Sequence, residues 1–520
     1  MTERRLDVRT KTHPGARTGR VFLHALVGVA VLLGGCVPRL PGGGAREPVI
    51  AVPDAYPSVA TAGGEAQAQG SSTPTEGSQA EATSVVDYHA IFAGGELAAL
   101  IDEALANNQE LNIAVQDILI ANNEVLARRG DYIPNLGVGA NVGVEHVPEQ
   151  TREGRSDQVA GTSPTLPYYA VGFYASWEVD IWRRLRNLRD AAVNRYLASI
   201  EGRNFLVTRL VAEIASSYYE LMALDEQLEV VRTTIELQQH SVDVVHLQFE
   251  AAAATAVAVT RLEAELYRFK AQEYEIRQRI VETENRINFL VGRYPRPIAR
   301  PSASFLDLPP PNVRAGMPGS LLENRPDIRQ AALELEATRF DVRAARARFY
   351  PSLTLVAGAG YASTSARQLF TTPQSLLLQV LGSVAAPLLN RRGITAAYFT
   401  ADAQQLRAVL AYERAILSGY VEVVNRMNLI ENSTRSLELR EQQVERLNQA
   451  IDLSQRLFEA ARADYLEVLT ARRDALDAQL LLIETKRQQL SAAVGLYQAL
   501  GGGWRTTSPS PSNANDGRNP

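Results

Sequence analysis

Few side chains in this 520-residue sequence could do covalent or metal chemistry, and their spacing defeats most of it. The histidines fall at His13, His24, His89, His146, His240 and His246. A helical metal site needs two imidazoles at i and i+4 on one face, whereas His240 and His246 are six apart and point to different faces. Both read as helix-surface residues. There is no phosphate-binding Gly-rich loop, no nucleophile elbow and no Cys–His pair. The sequence describes no enzyme and asks for no cofactor or metal, so energy has to come from a partner.

The single thiol, Cys36, suits a different reaction. Arg4, Arg5, Arg9, Lys11, Arg17 and Arg20 form a basic region, and Val21 to Leu33 a short apolar one. The run Leu33-Gly34-Gly35-Cys36 then closes it. That order is a secretory signal over 1-35, too short for a stable anchor, and His13 and His24 leave with it. Its last four residues resemble the bacterial lipobox, in which the signal is cut before a cysteine that receives lipid. Cys36 is thus the expected lipid attachment site; a plain signal peptide with an incidental thiol is the alternative. Each buried acyl methylene contributes about 0.8 kcal/mol of membrane binding. Val37, standing where an Asp would retain the protein at the inner membrane, points by analogy to the outer one. A lone cysteine leaves no internal disulfide framework. Residues 36-86, rich in Pro, Gly, Ala, Ser and Thr, read as a lipid-anchored flexible linker, and 503-520 as a disordered tail.

A formal charge of -5 and a pI near 5.9 offer no basic block dense enough to neutralise a run of phosphates, which argues against nucleic-acid binding. Mean hydropathy of -0.14 is not that of a multi-span helical membrane protein. No internal run approaches the roughly 20 apolar residues that a membrane-crossing helix needs.

The elements that must carry any function come in two versions. Residues 107–136 align without a gap on 324–353, at a spacing of 217. Asn107 matches Asn324, Ala114 matches Ala331, Val125 matches Val342, Arg129 matches Arg346 and Pro134 matches Pro351. In both copies a helical stretch ends near a proline and strict alternation begins, the mark of an internal two-fold repeat. Apolar Leu136, Val138, Ala140, Val142 and Val144 alternate with Gly, Asn and Glu. The next run inverts the parity, with Tyr169, Val171, Phe173, Ala175 and Trp177 apolar. Leu353 to Tyr361 repeats the plan, and Leu376 to Leu388 does so less cleanly. Period-two alternation of this length fits a half-buried strand, and equally an outer-membrane strand with one lipid-facing side.

Long helical tracts separate the strand pairs. Leu210, Ile214, Leu221, Leu224, Leu228, Val231, Ile235, Val242, Val245 and Phe249 lie on one seam that steps by fours and threes. Leu262, Leu266, Phe269, Ile276, Ile280, Ile287 and Leu290 resume it, as a coiled coil does. The stretch 187–248 would measure roughly 90 Å at 1.5 Å per residue, beyond any compact globule. Tracts at 393–456 and 464–498 form the second pair. Four strands cannot close a barrel, and an open edge in lipid leaves amides unpaired. The strands must be pooled among copies; three copies would give twelve, and two or four remain open on these grounds alone.

The stretch Leu321-Leu322-Glu323-Asn324-Arg325-Pro326-Asp327-Ile328-Arg329, continued by Ala344-Ala345-Arg346-Ala347-Arg348-Phe349-Tyr350-Pro351-Ser352-Leu353, resembles the signature of TolC-like outer membrane factors. Asp180-Ile181-Trp182-Arg183-Arg184-Leu185-Arg186 is similar to the family's segment after the second strand, with Arg183 where Gly is usual. With the lipobox, the resemblance is to the lipoprotein branch and covers about 90–500. It implies an α+β homotrimer whose twelve-stranded outer-membrane β-barrel, four strands per chain, runs on into a long periplasmic α-helical coiled-coil barrel. It also implies an exit duct for small molecules, served by a periplasmic adaptor protein and a proton-driven inner-membrane transporter. The chain would sit in the outer membrane of a Gram-negative bacterium, in contact with its lipid and extending into the periplasm.

The same resemblance places the working parts. Adaptor-contacting tips fall at Ala252, Ala253, Ala461 and Arg462, with Ala252 and Ala461 where Gly is usual. The periplasmic gate falls at Glu467, Asp464, Tyr465 and Arg462. Glu467 matches an acid that lines the closed aperture, while the family's second acid falls at Thr470 and the first-half equivalent of Glu467 is Ala258. Three carboxylates around a narrow pore would repel one another and favour cations. The plain alternative is that Asp464 and Glu467 are solvated helix charges. The expected segments are 87-295, with helix, strand pair and long hairpin, and 296-502, with the same again. The rival reading is a periplasmic adaptor lipoprotein, although adaptors usually carry one hairpin flanked by small β-rich domains.

Overall fold

The computed structural model describes residues 37–40, 46–57, 87–92, 95–148, 150–252, 254–301, 304–388, 391–460, 462 and 465–505. Cys36, Ala253, Ala461 and Asp464 lie outside them. The elements in chain order are α1 (Tyr88–Ile91), α2 (Gly95–Asn107), α3 (Gln109–Tyr132), β1 (Asn135–His146), α4 (Arg152–Ala160), β2 (Thr165–Val179), α5 (Arg184–Glu250) and α6 (Ala256–Val291). They continue with α7 (Leu321–Asn324), α8 (Pro326–Ala347), β3 (Ser352–Ser363), β4 (Leu376–Ala385), α9 (Arg392–Glu459) and α10 (Tyr465–Ala499). No helix among the described residues is long and apolar enough to cross a membrane.

The chain divides into two compact units, one built from 120–196 and 333–410, the other from 48–119, 197–332 and 411–520. The first holds a single four-stranded sheet in the order β1-β2-β3-β4, antiparallel throughout. Both strand pairs begin where the alternation does, and β4 stops ahead of Pro387, which has no amide for a ladder. The β1–β2 connection, mostly polar in sequence, carries the short helix α4.

Beyond β2 the chain must enter a helix whose first amides have no intrahelical acceptor. Asp180 supplies one: its carboxylate accepts from the amides of Leu185 at 3.1 Å and Arg186 at 3.0 Å. The Arg186 guanidinium adds a bond at 3.2 Å. Burial pushes the Asp180 pKa up, but these donors outweigh it and hold the carboxyl below its usual range.

The second unit is helical. The 67 residues of α5 run for roughly 100 Å at 1.5 Å per residue. Its apolar seam packs Val211, Ile214 and Leu221 against Ile101, Ile287, Leu490 and Tyr497 in one core. A second core gathers Leu321, Ile328, Ile416, Val423 and Leu496. Two smaller clusters continue the seam along the helix pairs: Leu224, Val231 and Phe269, then Val242, Val245 and Leu262.

Matched positions of the two aligned segments make matched contacts. Asn108 donates to the Leu290 carbonyl at 2.7 Å, and Arg325 donates to that of Ala499 at 2.6 Å. Past each helix end a glycine takes a left-handed φ, +82° at both Gly292 and Gly501. A Cβ there would lie 2.5 Å from the Asn107 oxygen or 2.4 Å from that of Asn324. In the segment read as linker, residues 48–57 have defined contacts. The Val49 amide donates to Glu413 at 2.9 Å, and Tyr56 stacks on Tyr420 with ring centroids 5.5 Å apart.

Candidate functional site

The strand registers settle which side chains share a face. Val138 pairs with Phe173, Phe173 with Ala359, and Ala359 with Leu378. Cross-strand partners project to the same side, so the parity inversion between β1 and β2 is what brings their apolar residues together. One face therefore carries Leu136, Val142, Val171, Phe173, Leu355 and Val380 without interruption. Every Asn, Gln and Glu of the four strands (Asn135, Asn141, Glu145, Glu178 and Gln379) lies on the other, with all of their glycines except Gly382.

The apolar face is unpartnered among the described residues: Val142 is 79% exposed and Val380 84%. Aromatic residues mark its two ends. Tyr361 meets Phe370 edge-on near the loops; Trp182 stacks on Tyr350 at 4.7 Å beside the helix starts. At the same end Trp177 donates through its indole to the Tyr132 carbonyl at 3.1 Å. Strands of 10–15 residues with an apolar band between aromatic girdles have the composition of an outer-membrane barrel wall. Outer edges β1 and β4 have no partner strand among the described residues.

At the far ends of the long helices, the expected tip and gate residues fall as follows. Ala252 holds the turn after α5 with φ +55°, and its amide donates to the Phe249 carbonyl at 2.9 Å. An L-residue pays about 1 kcal/mol for that left-handed conformation, which Gly adopts freely. Ala252→Gly is therefore expected to slow hydrogen exchange at the Ala254 amide, bonded here to the Gln248 carbonyl, by about fivefold. Unchanged or faster exchange would show that the turn is not strained.

Glu467 lies in the first turn of α10 and is exposed. Tyr465 is half-buried, meets Phe458 edge-on at 5.1 Å and packs on the Val242–Leu262 cluster, its hydroxyl buried without a hydrogen bond among the described residues. Arg462 is exposed, and its amide donates to the Leu457 carbonyl at 2.9 Å. Cross-helix ties along these helices include Arg472 to the Ser241 hydroxyl at 2.6 Å and the Gln238 side chain to the Leu262 carbonyl at 3.1 Å. Gln238 is a polar residue on the apolar seam of α5, between Ile235 and Val242. Asp464, Ala253, Ala461 and Cys36 are outside the described residues.

Comparison with known proteins agrees with this surface. The family profile of outer membrane efflux proteins matches residues 100–293 and 317–502. The pyoverdine export outer membrane protein OpmQ of Pseudomonas putida is 29% identical over 448 residues, covering 86% of this chain and 94% of its own. The probable outer membrane lipoprotein SilC of Salmonella typhimurium is 25% identical over 413 residues, 79% of this chain and 87% of its own. Among solved structures, the open state of the Neisseria gonorrhoeae MtrE outer membrane channel superposes with a TM-score of 0.74 at 22% identity, over 90% of this chain and 99% of that one.

Proposed function

This chain belongs to the outer membrane efflux protein family, and from that premise we propose that three copies pool their strands into one closed barrel. The chain is an outer-membrane efflux channel, the exit duct of a tripartite system, rather than the adaptor. The observation that carries the closure is the one-sided sheet with two unpartnered edges. Twelve strands leave no edge amide in lipid, face apolar residues outward and turn Asn, Gln, Glu and Gly to the lumen. Exposed Tyr267, Tyr274 and Val281, spaced by seven on α6, supply a heptad face for neighbouring copies to cover. The two helix-strand-hairpin halves, 87-295 and 296-502, then give six near-equivalent wall segments around the axis.

In this reading Glu467, with Asp464, Tyr465 and Arg462 nearby, lines the periplasmic aperture. Ala252, Ala253, Ala461 and Arg462 meet the adaptor, and a proton-driven inner-membrane transporter supplies the energy. Cys36 carries the lipid, supported by the motif that ends at it and by the name of the SilC relative.

Planar-bilayer conductance of the purified protein is the direct test. Wild type is expected to show a small, cation-preferring conductance. In Glu467→Ala the cation preference should fall roughly two- to threefold as the ring of charge is lost. Conductance indifferent to the substitution would move the constriction elsewhere; no pore from a folded trimer would overturn the duct. The intact mass of the same preparation reports the anchor: acyl mass on Cys36 supports it, and an unmodified thiol refutes it.

A further inference from the structure

The arginines around the feet of β2 and β3 fall into two groups. Arg184 pairs with Glu178 at 2.7 Å, Arg186 with Asp180 at 3.2 Å, Arg189 with Asp190 at 2.7 Å, and Arg195 with Asp341. Arg183, Arg343 and Arg346 are exposed and have no ion pair among the described residues. These three line one cavity of about 390 Å³, whose wall is completed by the stacked rings of Trp182 and Tyr350. Arg183 stands there at φ +60°, a left-handed backbone that an L-side chain rarely adopts. Strain of this kind persists where the surroundings impose it, and it clusters at binding sites.

We propose that this cavity holds the headgroup phosphate of an anionic phospholipid from the periplasmic leaflet, with Arg183, Arg343 and Arg346 as its donors. The inference rests on the barrel reading, which puts the Trp182 and Tyr350 ends of the strands at the periplasmic surface of the outer membrane. There the indole and phenol rings sit at headgroup depth. Guanidinium groups bind a phosphate through forked donors, and unpaired arginines beside a membrane attract anionic lipid. Exposed Ile133 and Ile181, next to the same strand feet, would cover the first acyl methylenes.

The test is native mass spectrometry of the full-length trimer titrated with phosphatidylglycerol, with and without excess inorganic phosphate. Saturable binding of one lipid per protomer is expected, weakened about tenfold by Arg343→Gln combined with Arg346→Gln. Arg183→Gly should weaken it several-fold while leaving the melting temperature equal or higher, because glycine accepts the backbone that arginine strains. Arg414→Gln, on α9 away from the cavity, should change nothing. Lipid affinity unaltered in the double variant overturns the proposal. So does inorganic phosphate binding there without lipid, which makes it a free-anion site. If the double variant loses its trimer while Arg183→Gly binds lipid as wild type does, the arginines hold a neighbouring copy and the proposal fails. A wild type that forms no trimer and no pore refutes the barrel reading instead.

Discussion

On the proposed trimeric barrel, Val380→Arg should remove nearly all heat-stable trimer from outer-membrane extracts, whereas Gln379→Arg, one residue away, should leave most of it. Val380 lies mid-strand on the apolar face, 84% exposed and paired with Ala357. A guanidinium at the bilayer midplane costs about 2–4 kcal/mol per chain, so roughly three times that for a closed trimer. Gln379 belongs to the opposite face with Asn141 and Glu145, where a charge would meet water. Equal loss of trimer in both variants would sink the assignment of the two faces. Loss in Gln379→Arg alone would invert it.

Arg325→Ala should lower the unfolding free energy by about 3 kcal/mol, seen as an earlier transition of the detergent-purified protein on heating. The Arg325 side chain is 7% exposed and holds three elements at once. It bonds Asp327 at 2.8 Å on α8, Glu422 at 3.0 Å on α9 and the Ala499 carbonyl at 2.6 Å at the end of α10. Gly419 leaves the space for it, since a Cβ there would lie 3.1 Å from the guanidinium. Truncation strands two partly buried carboxylates and a carbonyl, which costs more than the pair was worth. Asn108→Ala, at the aligned position of the first half, breaks neutral bonds only and should cost about 1 kcal/mol. Equal effects from the two substitutions would show that the buried charge is not what matters.

How much of this was legible beforehand follows from the range of each interaction. Period-two alternation located the strands, because each residue reports its own face. The long heptad seam located α5 and α6 for the same reason. The faces of β1 and β2 could be read separately; only the pairing of Val138 with Phe173 shows that their opposite parities make one surface. Arg325 stood in the sequence inside a recognisable motif, yet two of its partners are 97 and 174 residues away, and nothing local announces them. At Ala252 the only hint was the Gly that the resembling family usually has there, since alanine itself gives no sign that its backbone is left-handed. Tyr56 falls within a Pro- and Ser-rich stretch whose composition says linker, although its ring has a stacking partner 364 residues later.

The unpartnered margins of β1 and β4 have a genetic consequence. If every copy must lend one margin to each neighbour, a single copy with a ruined margin spoils the whole ring it enters. In a cell making sound and ruined copies in equal amounts, random mixing leaves only about one three-membered ring in eight free of ruined members. A lesion confined to β4 that still permits partial association should therefore behave as dominant-negative, while an early truncation that never meets its siblings should be recessive.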